Sequence, residues 1–256
     1  MRILCFLKAI LDPEAPPGAI RFPGKVESGD VATVLGPFEG NGLELAVQLV
    51  EASGGTFTAV AMGDGSQDVA LRKALALGAE KAVRIAAPGG FQDPLLAARR
   101  LWAAAQALGG ADVYVFGRQA GDWDMGVTAG LFAGLGDLPF VPLVQGAEVA
   151  GDALRLRREI PGGYEASLQS LPLALSVTNG PATLMRLPKV KDVMLANRKP
   201  IDVLEPAAAL AALDLREIAP AQVTRQSRMI AGDAPAQAQA LAAELRRFLV
   251  SAGGGN

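Results

Sequence analysis

Short apolar runs rich in β-formers alternate with runs of helical period through the first 144 residues, and this alternation narrows the fold more than any other feature. Ile3–Leu7, Thr56–Met62, Lys81–Ala86 and Val113–Phe116 read as buried strands. Between them, Leu43, Ala46, Val47 and Val50 recur at i, i+3, i+4 and i+7, one face of a helix that Gly54-Gly55 ends. A second helix runs from Ser66 as N-cap to Leu77, with Gly78 after it. A third covers Asp93–Leu108, and a fourth starts near Met125 and continues through Leu135. Another short strand lies near Phe140–Val144. Strand, helix, strand in repeated order predicts an α/β fold: a mostly parallel, doubly wound sheet with right-handed crossovers. Ligands in such sheets sit outside the carboxyl ends of the strands. The chain just beyond Leu7, Met62 and Phe116 is therefore the expected pocket wall.

After Gly146 the pattern changes. Ala153–Ile160 and Tyr164–Gln169 alternate apolar with polar residues around the turn Pro161-Gly162-Gly163, which predicts a small antiparallel hairpin. Leu173–Thr178 is one more buried strand, and no further strand–helix unit is expected after it. A short hairpin or loop is expected over Arg21–Ala32. Lys189–Pro200 is basic and mixed, and Pro200–Pro220 reads as extended or loosely helical. Gln237–Val250 reads as an amphipathic helix with Leu241, Leu245, Phe248 and Leu249 on its apolar side. The expected organisation is a nucleotide-binding domain over 1–185, then a loop and an extended C-terminal arm over 186–256. That second part has apolar residues but no core of its own, so it is expected to pack on a partner chain.

Charge and composition then remove several function classes. Twenty-four basic residues against 26 acidic ones give a net charge of -2, without the basic excess of a nucleic-acid binder. Histidine is absent, which rules out a Ser-His-Asp or Cys-His mechanism and a Cys/His zinc site. Cys5 is the one cysteine, so no disulfide forms within the chain. It reads as a small buried hydrophobe in a chain of the reducing cytoplasm. Met1–Lys8 is too short for a signal peptide, and no apolar stretch is long enough to span a bilayer. The balance favours a binding subunit without catalytic residues of its own over an enzyme.

The stretch Gly117-Arg118-Gln119-Ala120-Gly121-Asp122-Trp123-Asp124-Met125-Gly126-Val127-Thr128 joins a buried strand to a helix. Such a turn presents free amides at the positive end of a helix, which suits a phosphate, although a plain structural turn has equal weight. The stretch lacks the Gly-Lys-Ser/Thr ending of a P-loop and the Rossmann fingerprint. Asp122 and Asp124 repel an anion and fit better as a helix N-cap and as acceptors for ribose hydroxyls. Thr128 is a donor to phosphate, and the Trp123 ring either covers a base or caps the pocket. Gly36-Pro37-Phe38-Glu39 reads as a wall against an adenine or as a helix-starting loop, and Gly63-Asp64-Gly65 carries the same ambiguity. On spacing alone the basic run Lys189–Lys199 is a solvated surface more often than a docking site.

Taken together and in order, these segments resemble the β subunit of the electron-transfer flavoproteins. Ile3–Asp12 resembles the opening strand with its lysine and following aspartate. Gly36-Pro37-Phe38-Glu39 resembles the family's Asn-Pro-Phe loop, and Ala74–Ala79 its Ala-Leu-Ala-Met-Gly-Ala. Gly117–Gly126 resembles Gly-Arg-Gln-Ala-Ile-Asp-Gly-Asp-Thr-Gly, and Leu187–Ile201 the recognition loop. Gly36 stands where that pattern has asparagine, Trp123 where it has glycine, Met125 where it has threonine and Val127 where it has glutamine.

The resemblance implies an adenine-nucleotide α-hydrolase-like fold and an αβ heterodimer. It implies FAD held mainly on the α subunit and a structural AMP on this one. The implied nucleotide site takes Phe6, Lys8 and Met62 from strand ends, Gly36–Glu39 from the first helix start, and Gly117–Thr128 from the glycine loop. The implied docking site for a flavin-dependent dehydrogenase is Leu187, with Val190, Val193 and Met194 beside it. The alternatives are a stand-alone adenine-nucleotide sensor of the universal-stress-protein kind, and a divergent β-subunit paralogue with an empty pocket.

Overall fold

The computed structural model describes residues 1–16, 31–217 and 227–252, so the segment expected over Arg21–Ala32 lies for the most part outside the described residues. The described chain divides into two compact units, 1–219 and 220–256.

The first unit is built on a nine-stranded sheet. Its strands are β1 (Arg2–Leu7), β4 (Thr56–Gly63), β5 (Lys81–Ala86), β6 (Val113–Gly117), β7 (Phe140–Ala150), β8 (Ala153–Ile160), β9 (Gly163–Ser170), β10 (Leu173–Val177) and β11 (Asp202–Leu204). Their spatial order is β11-β5-β4-β1-β6-β10-β7-β8-β9. Pairing is parallel from β11 through β7 and antiparallel over β7–β8–β9. A separate two-stranded antiparallel ribbon joins β2 (Ala9–Leu11) to β3 (Thr33–Leu35).

Strand alternation sorts the core into two layers. Ile3, Cys5 and Leu7 of β1 point to one face with Val113 and Val115 of β6, and Leu4, Phe6, Tyr114 and Phe116 point to the other. The first face is covered by α1 (Pro37–Ser53), α2 (Asp68–Ala76) and α5 (Val190–Ala196), the second by α3 (Pro94–Ala107) and α4 (Thr128–Leu135). Both faces are buried, which is why the parallel strands read as continuous apolar runs. β7 bends near Leu143, at φ 59, with a register shift between Val144 and Gly146. Leu154 and Leu156 of β8 join the core of the first face.

Three local expectations are corrected. Ser66 is not an N-cap. The charged Asp64 is the stronger acceptor and takes both the Ser66 amide (2.9 Å) and its hydroxyl (2.6 Å), so a 3₁₀ turn over Gly65–Gln67 precedes α2. The fourth helix starts at Thr128 rather than near Met125, because Asp124 at φ 50 and Gly126 at φ 65 cannot continue a right-handed helix. A helix and strand do follow Leu173–Thr178. α5 packs on α2, and β11 adds to the sheet edge beside β5, so the first unit continues past 185 to 219. β11 is three residues long, too short to show a period.

In the second unit, α6 (Ala234–Ala252) is started by Asp233, whose carboxylate accepts the Ala236 amide at 3.0 Å. Leu241, Leu245, Phe248 and Leu249 are exposed along it.

Candidate functional site

The chain runs from β1 outward to β4 and β5 on one side, then crosses to β6 on the other. The topological switch point therefore lies between β1 and β6, and in sheets of this kind the ligand crevice is at the carboxyl ends there. The start of α1 closes its floor. A Cβ on Gly117 would lie 2.7 Å from the Glu39 amide nitrogen, so only glycine lets the end of β6 touch the helix start.

The glycine loop, residues 118–127, rises from β6 and is tied down at several points. The Arg118 amide donates to the Val177 carbonyl (2.8 Å), and its guanidinium lies 4.5 Å from the Phe38 ring centre. Lys8 Nζ, at the end of β1, pairs with the Asp122 carboxylate at 2.6 Å. Gln119 Nε2 donates to Asp124 Oδ1 at 2.8 Å, and Arg118 Nε donates to Gln119 Oε1 at 3.1 Å. Trp123 meets Phe91 edge-on at 5.0 Å. Phe91 follows β5, so the loop reaches across the ends of β1 and β4, about 14 Å at ordinary strand spacing.

Neither aspartate caps α4. Its N-cap is Val127, without a side-chain bond, and both carboxylates are already held by Lys8 and Gln119. The amides of Met125, Gly126, Val127 and Thr128 donate to no described group. They stand at the start of α4, open to an anion.

The residues expected here gather unequally. Gly36, Phe38, Glu39, Lys8, Gly117, Arg118, Gln119, Ala120, Asp122 and Thr128 surround the crevice and its loop. Gly121 packs near Ile10 and Pro37. Met62 is half-buried at the end of β4. Phe6 lies beneath the crevice, its ring stacked on Phe116 at 4.4 Å and against Phe132 at 5.1 Å. Met125 and Val127 face solvent.

Glu39 is the unusual member. It is 5% exposed, and its Oε2 is buried with no hydrogen-bond partner. Burial pushes its carboxyl up to about 8; its own amide and Lys8 offset this in part, and Asp122 adds to it. Any side chain at Gly36 would overlap Oε2 outright. Cys5 lies close enough that burial first, and Glu39 second, raise its thiol far above the ordinary range.

Three groups at this site escaped sequence reasoning. Gln67 clamps the backbone after β1, accepting from the Ala9 amide (2.8 Å) and donating to its carbonyl (3.0 Å). Phe91 is another, and the third is Cys5, read as a buried hydrophobe, which it is, but not as a neighbour of Glu39. Nothing in sequence spacing marks Phe91 as a partner of Trp123.

A second region lies at 180–200. Arg186 donates to Glu44 (2.8 Å) and Glu51 (2.6 Å) on α1, and its amide donates to Glu44 Oε2 (3.0 Å). Asn41 holds the Thr183 carbonyl and Gln48 the Ala182 carbonyl, each at 2.7 Å. Arg72 on α2 donates to the carbonyls of Ala196 and Lys199. Above this base, Leu187 is 84% exposed, and Val190, Val193 and Met194 are exposed beside it. A groove of about 480 Å³ runs between this loop and α1 and α2, lined by Val47, Leu75, Leu187, Pro188 and Leu195 among others. Burial alone would raise the Glu44 carboxyl, but hydrogen bonds from the Arg186 side chain and amide and from Gln48 outweigh it and hold it below the usual range.

The electron transfer flavoprotein domain pattern matches residues 25–209, which takes in the start of α1, the glycine loop and the 180–200 region. The chain belongs to the electron transfer flavoprotein family, on its β-subunit branch. It is similar to the electron transfer flavoprotein subunit beta of Thermoanaerobacterium thermosaccharolyticum, 32% identical over 181 residues covering 68% of this chain and 67% of that one. It is also similar to the subunit beta of Bacillus subtilis, 28% identical over 80% of this chain and 79% of that one. The acryloyl-CoA reductase electron transfer subunit gamma of Anaerotignum propionicum is 26% identical over 80% of this chain and 78% of that one. Among the described residues no helix is long and apolar enough to cross a membrane, and no cluster of three His, Cys, Asp or Glu forms a metal site.

Proposed function

We propose that this chain is the β subunit of a heterodimeric electron-transfer flavoprotein. In this reading it holds a structural AMP at the switch-point crevice, supports the FAD of the α subunit, and docks a flavin-dependent dehydrogenase. The supporting observation is the glycine loop at the carboxyl ends of β1 and β6, in a chain that matches the family pattern over residues 25–209.

The groups present fit an adenine nucleotide. The four free amides at 125–128 suit a phosphate. The two aspartates that would repel it are neutralised or engaged by Lys8 and Gln119. Met125 and Val127 offer no side-chain donor, so the backbone of 125–128 and the Thr128 hydroxyl carry the phosphate. The flavin on the α subunit supplies the redox chemistry. This chain supplies a fixed scaffold and a docking surface: Leu187, Val190, Val193 and Met194 project from a base that Arg186 and Arg72 hold rigid.

A stand-alone sensor ending near Thr178 fits poorly. Cutting there would remove β11 from the sheet edge and strip α5 from α2, exposing the apolar side that now buries Ala196. The proposal is tested by co-expression with a flavin-binding α subunit encoded beside it. The expected result is a yellow heterodimer that releases AMP on denaturation, detected by mass spectrometry. Failure to form a yellow complex overturns the subunit reading, and a complex without AMP overturns the nucleotide reading.

A further inference from the structure

Glu39 is charged by type, yet it is almost wholly enclosed and has an oxygen with nothing to bond. An unpartnered buried polar atom costs about 1–3 kcal/mol, so a fold that keeps one invites a partner the chain does not itself provide. Its position says where that partner sits. The carboxyl occupies the space in front of Gly36, against the end of β1 and beneath the loop that Lys8 and Asp122 tie down. This is the switch-point crevice itself. The titratable groups that act on it are Lys8 from the end of β1, Asp122 from the glycine loop and Cys5 from within β1.

We propose that Glu39 is a ligand residue of this crevice, and that its neutral carboxyl donates its proton to an acceptor on the bound nucleotide. The proposal rests on the nucleotide reading of the site and deepens it. A neutral carboxylic acid carries one donor and one acceptor, the same pair as a carboxamide, whereas a carboxylate only accepts. Position 36, where the related pattern has asparagine, is a glycine here, and the Glu39 carboxyl fills the space that a side chain at 36 would take. The chain thus presents an acid group from 39 where it has no side chain at 36. Lys8 does not neutralise Glu39, because its ammonium is already paired with Asp122 at 2.6 Å. With its proton held up to about 8 by burial, Glu39 is mostly neutral at pH 7.

The consequence is nucleotide binding linked to one proton. Raising the pH past 8 ionises Glu39 in the free site, removes the donor and sets a carboxylate against the ligand's acceptor. The test is calorimetric titration of AMP into the full-length chain, freed of co-purified nucleotide, between pH 7 and 9.5. That window lies above the second phosphate ionisation near 6, so the ligand's charge is constant. Binding is expected about tenfold weaker at pH 9 than at pH 7, with proton uptake at pH 8.5 read from buffers of different ionisation enthalpy. Glu39→Gln keeps the donor and acceptor without the proton, so its affinity is expected to stay within about threefold across the window, with no uptake. Firm binding that ignores pH, or a Glu39→Gln profile that follows the unmodified chain, overturns the role of Glu39 and leaves the nucleotide reading standing. No AMP binding at pH 7 overturns both.

Discussion

Glu39 and Glu44 stand five positions apart on α1, and both are less than a tenth exposed. Their surroundings give them opposite fates. Glu44 meets Arg186 through side chain and amide, and its carboxyl is held below the usual range. Glu39 meets no cation of its own, and its carboxyl is pushed up to about 8. One helix thus serves two regions by different physics. At the 180–200 loop, paired charges pin a base from which apolar side chains project. At the crevice, a buried group is left short of a partner. A site whose bonds are all made internally is a scaffold, and one with bonds left unmade is built to receive something.

The sharpest way to break this comparison is pH. The folded value of Glu39 lies above its ordinary 4.5, so the folded chain binds the extra proton between about 4.5 and 8. Stability is therefore lost as pH rises through that window. Glu39→Gln escapes the loss and is expected to be more stable than the unmodified chain by about 5 kcal/mol at pH 9, with the gain gone near pH 4.5. Urea unfolding at several pH values measures it. Parallel pH profiles for the two chains would mean that Glu39 is ionised and paired in solution.

Glu44 runs the other way. Its folded value is depressed, so the stability it brings is present above the unfolded value and fades as pH falls through the folded one. Arg186→Ala strands the Glu44 carboxylate in its buried position. A fully buried pair would cost about 3–5 kcal/mol, but the Arg186 side chain is 40% exposed, so roughly 2 kcal/mol is expected at pH 7. The variant should also lose the acid-side slope that Glu44 gives the unmodified chain. A loss under about 0.5 kcal/mol would show that Asn41, Gln48 and Arg72 hold the loop base without Arg186.

What the sequence made legible follows from the same contrast. The strands β1, β4, β5, β6 and β10 were readable because both of their faces are buried, which leaves continuous apolar runs. The glycine loop was readable as a strand-to-helix turn. The true start of α4 was not, since it depends on the left-handed backbone of Asp124 and Gly126 rather than on a capping side chain. β11 was missed because a three-residue edge strand borrows its order from β5. At the site, Glu39 was legible as part of a loop walling an adenine or opening a helix, but the burial and missing partner of its carboxyl were not. Its burial comes from Gly36 and Gly117, whose missing side chains let the backbone close over it. The pairing of Trp123 with Phe91 joins two loops from opposite sides of the switch point, and no local pattern encodes that.

That aromatic pair gives a smaller test of whether the crevice roof is held as firmly as the loop base at 180–200. Trp123→Gly removes an edge-on contact at 5.0 Å, and about 1 kcal/mol of stability is expected to go with it. Amide exchange over residues 119–127 should speed up, while the amides of 190–196 stay protected. Unchanged exchange in the glycine loop would assign its order to Lys8–Asp122 and the Gln119 bonds alone.

The smallest effect on stability, and the most informative about the docking proposal, belongs to Leu187. At 84% exposure it contributes almost nothing to the core, so Leu187→Asp should leave stability within about 0.5 kcal/mol. It touches none of the bonds from Arg186, Asn41, Gln48 or Arg72, so the loop base should keep its shape and the heterodimer should still assemble. A carboxylate at the tip of an apolar patch must still be desolvated when a partner covers it, without a matching cation guaranteed there. Electron transfer from the dehydrogenase, followed by stopped-flow absorbance of the flavin, is expected to slow sharply while the flavin spectrum of the isolated heterodimer stays as it was. Unchanged transfer removes Leu187 from docking and shifts attention to Val190 and Met194, the next most exposed of the four. A loss of transfer accompanied by a loss of flavin would place Leu187 against the α subunit instead, making the 180–200 loop part of the heterodimer rather than its outward-facing surface.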